Sequence, residues 1–70
     1  MNFHLIVFKV LKNEGWCSHI LSQTKNSLTL DYNNALNTED VFKFVEEHLP
    51  ENIKLKSIVF SERSFTLRFE

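Results

Sequence analysis

Apolar and polar positions alternate cleanly in two stretches of the chain. In residues 27–32 (SLTLDY), Leu28, Leu30 and Tyr32 fall on one side and Ser27, Thr29 and Asp31 on the other. Near the C-terminus, Phe65, Leu67 and Phe69 alternate with Thr66, Arg68 and Glu70. A period of two puts successive side chains on opposite faces of a strand, so each stretch is expected as a strand with one buried face.

Residues 3–12 (FHLIVFKVLK) are rich in β-branched and aromatic side chains, which favours a strand. Leu5 and Val7 would then point one way, and Ile6, Phe8 and Val10 the other. A strand wetted on one face should alternate, so this pattern predicts a dry second face. Residues 16–23 read as a second strand, with a short helix as the competing reading. Residues 53–61 carry two phases, Ile53 and Leu55 against Ile58 and Phe60. That slip predicts a strand with a bulge near Ser57, or burial on both faces. Turns are expected at residues 13–15, where Gly15 can take a positive φ, at 24–26, and at 61–64.

The helical signal lies between these strands. Asn37 is the expected N-cap, with Asp40 at N3 in an approximate capping box. Leu36 and Val41 fall at the N′ and N4 positions of a hydrophobic staple. Val41, Val45 and Leu49 recur every four residues, Phe42 and Phe44 widen the stripe, and Pro50 ends the helix. The expected fold is a single α+β domain over residues 1–70. It is a mainly antiparallel five-stranded sheet with one helix on one face, in the order βββαββ. No internal repeat, linker or low-complexity segment stands out.

Composition supports a folded chain: the hydrophobic fraction is 43% and includes seven Phe, large side chains that bury much area from few positions. The single cysteine, Cys17, cannot form an internal bridge. With no leader-like start and no apolar run long enough to span a bilayer, the expected compartment is the reducing cytoplasm. The formal charge of −1 exerts no global pull on nucleic acid, but it is unevenly spread. Residues 31–53 carry Asp31, Glu39, Asp40, Glu46, Glu47 and Glu51 against Lys43, a net of −5. The segments on either side are each net +2.

Candidate chemistry is sparse. Cys17 and His19 would share a strand face, and a Cys–His pair can generate a thiolate, but no oxyanion hole or orienting group is evident. His4, Cys17, His19 and His48 have none of the spacings of a zinc motif. A lone Gly15 excludes a glycine-rich phosphate loop, and no cofactor or metal is expected. Basic residues interleave with aromatics in Lys54, Lys56, Arg63, Phe65, Arg68 and Phe69, the pattern of some sheets that bind single strands. Alternation nevertheless sends Phe65 and Phe69 away from Arg68 and into the core.

The acidic helix reads first as a solvated face. Glu46, Glu47 and Glu51 lie near the helix C-terminus, where negative charge costs about 0.3–1 kcal/mol, and a basic partner would account for them. One helix cannot dry both faces of the expected sheet, so the dry face of the first strand calls for a protein partner or a homodimer mate. The leading expectation is a non-enzymatic protein-binding module of inhibitor, antitoxin, immunity or adaptor type. It would act through Ile6, Phe8 and Val10 on the sheet and Glu46, Glu47 and Glu51 on the helix. A nucleic-acid-binding module using the basic C-terminal hairpin is the alternative, and a small thiol enzyme at Cys17 the third.

Overall fold

The first element is a helix, α1 (Phe3–Asn13), in place of the expected strand. At helical spacing His4, Val7 and Leu11 fall on one face, and all three are buried. Lys9, Lys12 and Asn13 recur at intervals of three and four on the opposite, exposed face. The β-branched residues cost up to about 0.7 kcal/mol each in helix propensity. Burial of a Val or Leu side chain returns about 1.5–3 kcal/mol, so packing decides the conformation.

Gly15 ends this helix. Its φ is +79°, its N–H donates to the Lys12 carbonyl at 2.9 Å, and the Trp16 N–H donates to the Leu11 carbonyl at 3.1 Å. That pair of bonds is a Schellman cap, which needs a left-handed residue at this position. The glycine turns the chain as expected, but out of a helix and not between two strands.

The computed structural model describes residues 3–32 and 37–70. After α1 come β1 (Ile20–Thr24), β2 (Ser27–Asp31), α2 (Thr38–His48), β3 (Leu55–Phe60) and β4 (Ser64–Phe69). The four strands form one antiparallel sheet in the order β1-β2-β4-β3. The class is α+β, but the order is αββαββ with two helices, not the five-stranded βββαββ arrangement. Residues 16–19 precede β1 as irregular chain, so the second expected strand is present only from Ile20.

Helix α2 starts where its cap predicts. Asn37 has extended backbone (φ −91°, ψ 122°), and its side-chain oxygen accepts from the N–H groups of Glu39 at 2.9 Å and Asp40 at 3.3 Å. Leu36, the other half of the expected staple, lies outside the described residues. Replacing Asn37 by Ala is expected to lower stability by about 0.5–2 kcal/mol. Urea unfolding reads this as a lower midpoint at unchanged slope, and an unmoved midpoint would show that the cap contributes nothing.

Both helices pack on one side of the sheet. Val7 and Leu11 of α1 join Val41 and Val45 of α2 over Leu28, Leu30, Phe65 and Leu67, all fully buried. Helix α1 therefore supplies the cover that the expected fold sought from a second molecule. Ile6, Phe8 and Val10 do not form a dry sheet face, because they are not in the sheet at all. The premise for burying them against a homodimer mate is removed with it.

The topology also contains a repeat that was not evident from the chain. An αββ unit occurs twice, and the two hairpins meet through their second strands, β2 and β4. Thr29 pairs with Thr66 at the centre, Ser27 with Arg68 on one side, and Asp31 with Ser64 on the other. Exchanging the hairpins maps this register onto itself. Ser27-Leu28-Thr29-Leu30 then superposes in order on Ser64-Phe65-Thr66-Leu67.

Candidate binding surface on the open sheet face

The side of the sheet away from the helices has no covering element among the described residues, and strand pairing arranges its side chains in rows. One row runs Thr24, Ser27, Arg68, Ser57 across all four strands; the next runs Ser22, Thr29, Thr66, Val59. At the middle the Thr29 and Thr66 hydroxyls are hydrogen-bonded at 2.9 Å. Opposed threonines of this kind stabilise a sheet while keeping the surface polar.

Each edge strand carries one irregularity. In β3 the register shifts between Leu55 and Ser57, making Lys56 the extra residue. The bulge lies where the phase slip predicted it. It reconciles a buried Leu55 with an inward Ile58 and delivers Lys56 to the open face beside Arg68. In β1 the shift between Ile20 and Ser22 leaves Leu21 as the extra residue, 55% exposed. Val59 is 50% exposed, an apolar side chain that shares a groove with Thr66, Lys56 and Arg68.

A shallow groove of about 520 Å³ crosses one end of this face, lined by Thr24, Ser27, Lys56, Val59, Thr66 and Arg68 among others. Among the described residues no carboxylate lines it. The aromatic rings of β4 belong mainly to the core: Phe65 is fully buried, and Phe69, which also lines the groove, is 4% exposed. A basic surface is therefore present on the C-terminal hairpin, without rings offered for base stacking. Lys54 and Arg63 are exposed at the strand ends and do not line the groove.

The other end of the face is organised by Asp31. Its Oδ1 accepts from the N–H groups of Ser18 and His19, each at 2.8 Å, and its Oδ2 lies 3.1 Å from His19 Nδ1. Burial alone would raise the carboxyl, but the His19 and Ser18 N–H groups and the His19 ring outweigh it and hold its pKa below the ordinary value. This carboxylate fixes the irregular chain that leads from α1 to β1.

Cys17 and His19 do not form a pair. The thiol is buried and contacts the Phe8 carbonyl at 4.0 Å, whereas the His19 ring is 77% exposed and faces Asp31. Burial, and then the Asp31 charge, push the Cys17 thiol up to about 11, so it is protonated at neutral pH. Among the described residues no three His, Cys, Asp or Glu side chains gather as metal ligands. His4 is buried against Phe3 and Phe69, and His48 Nδ1 lies 2.8 Å from the Phe44 carbonyl.

The remaining expected partner-binding residues lie on the helix side. Phe8 is half-buried against the core, while Ile6 and Val10 are half-buried on a flank of α1. Glu46, Glu47 and Glu51 are exposed on and just beyond α2. The open-face surface joins none of these six. Arg68 was legible as outward-facing from alternation alone; Lys56 was not, because only the bulge turns it that way. No described helix is long and apolar enough to cross a membrane. Compared with known proteins, the chain matches no family model, no curated sequence and no solved structure.

Proposed function

We propose that this chain is a non-enzymatic protein-binding module whose recognition surface is the open face of the sheet. The observation that carries the reading is the uncovered pair of rows in which Val59 stands among hydroxyls with Lys56 and Arg68 beside it. An exposed apolar side chain with an arginine nearby and hydroxyls along its row is a combination found in protein interfaces. The nucleic-acid reading keeps the two cations but loses the aromatics, since Phe65 and Phe69 are in the core. The acidic side of α2 fits a solvated helix face, with Lys43 one turn from both Glu39 and Glu47.

Photocrosslinking in the native host tests the reading. A benzophenone side chain at position 59 should yield a discrete protein adduct, and the same group at Lys9 on the outer face of α1 should not. The captured protein, once identified and purified, should bind the parent chain at least tenfold more tightly than Val59→Asp. Equal binding to both, or an adduct only from position 9, would remove the open face as the recognition surface.

A further inference from the structure

The duplicated αββ topology offers two equivalent places on the open face, one at each end of the Thr29–Thr66 pair. Exchanging the hairpins places Ser27 on Ser64 and Asp31 on Arg68. The two ends therefore share a scaffold and differ in charge. At one end Arg68 stands between Ser27 and Ser57, with Lys56 brought in by the bulge and, among the described residues, no carboxylate in the groove. At the other, the position of Arg68 is taken by Asp31, whose oxygens are already committed to Ser18 and His19.

From this asymmetry we infer that the partner is an acidic protein segment that binds once per chain, at the Arg68 end of the sheet, with its carboxylates on Arg68 and Lys56. The inference rests on the protein-binding reading and adds to it the partner's charge, its position and the stoichiometry. Arg68 supplies a planar donor fork suited to a carboxylate, and Lys56 a mobile point charge beside it. The serine and threonine hydroxyls of the same row can donate to a second carboxylate or to a main-chain carbonyl. Val59 gives an apolar side chain of the segment a place to rest. A nucleic-acid strand is the less suitable occupant: the groove has two cations among its lining residues, so few phosphates would be neutralised, and Phe69, the aromatic residue in its lining, is only 4% exposed and offers little face to stack a base.

Isotope-labelled chain titrated with an octaglutamate peptide, followed by amide NMR, tests the inference. Octalysine and an eight-residue oligothymidylate serve as the comparison ligands. The expected result is saturable shifts confined to Ser27, Lys56, Ser57, Thr66, Leu67 and Arg68, at one peptide per chain, weakening as salt is raised. Arg68→Glu and Lys56→Glu should each reduce octaglutamate affinity at least tenfold while leaving the spectrum otherwise dispersed. Both sites are exposed, so the two variants are expected to fold. Shifts around Asp31 and Ser64 as well, or two peptides per chain, would overturn the single asymmetric site. Tighter binding of oligothymidylate than of octaglutamate would transfer the groove to nucleic acid. If octaglutamate leaves the groove unperturbed while the protein captured through position 59 still binds, the acidic partner is lost and the protein-binding reading survives; if both fail, both fall.

Discussion

Replacing Phe65 by Ala is expected to remove about 3–5 kcal/mol of stability. A chain of this length is expected to have only about 4–10 kcal/mol in total, so the variant should be partly or wholly unfolded in water. Phe65 is the largest fully buried side chain. It lies on β4 between Leu30 and Phe60, with the Phe60 ring at 5.8 Å and the Tyr32 ring at 6.1 Å. The helices close over it, so little can collapse into the space its ring would leave. Arg68→Ala on the same strand, directed to solvent, should stay within about 0.5 kcal/mol of the parent. Urea unfolding of the two variants reads the difference directly, and a loss below about 1 kcal/mol for Phe65→Ala would mean that the phase of β4 is wrong.

The elements legible in the sequence were those whose local signals agreed with one another. In β2 and β4, strict alternation fixed the phase, and each residue assigned inward or outward lies there in the structure, up to Tyr32 and Glu70 at their ends. In α2 the cap, the acidic first turn, the four-residue spacing and Pro50 all pointed to one helix. In α1 they disagreed. Ile6, Val7, Val10 and two phenylalanines favoured a strand by composition, while Lys9, Lys12 and Asn13 fell at helical spacing. The wide apolar arc of α1 made both strand faces look dry. That feature is what a helix wedged between sheet and neighbour shows, with Leu5 as its one large exposed hydrophobic residue.

The number of helices sets how much of the sheet is covered. One helix leaves an apolar face over, and that face calls for a partner to bury it. With two, that face is closed, and among the described residues no element covers the opposite one, made largely of serine, threonine and two cations with Val59 at its edge. The candidate site thus lies not on Ile6, Phe8 and Val10 or on the acidic Glu46, Glu47 and Glu51, but largely on polar residues of β3 and β4. Half of its charge was readable in advance, since Arg68 alternates with core residues. Lys56 depends on a bulge whose existence was predictable from the slip in phase but whose effect on side-chain direction was not.

Asp31→Ala is expected to cost about 1.5–3 kcal/mol, because it deletes a charged acceptor of two backbone N–H groups. Ser18 and His19 have no regular secondary structure to satisfy those donors, and the chain that joins α1 to β1 depends on the contact. The same contact makes stability depend on pH with a defined sign. The folded carboxyl has a pKa below its ordinary value, so the unfolded chain binds the proton more readily. Its contribution is complete above the unfolded pKa, about 3.9, and is lost as pH falls through the lower, folded value. Asp31→Asn keeps an oxygen that can accept from Ser18 and His19 but cannot titrate. It should be less stable than the parent at neutral pH, more stable than Asp31→Ala, and free of this part of the acid loss. Urea midpoints for the three proteins between neutral pH and about pH 3, just below the unfolded carboxyl value, provide the measurement. Parallel acid profiles for parent and Asp31→Asn would show that the Ser18 and His19 contacts do not favour the ionised Asp31 carboxylate.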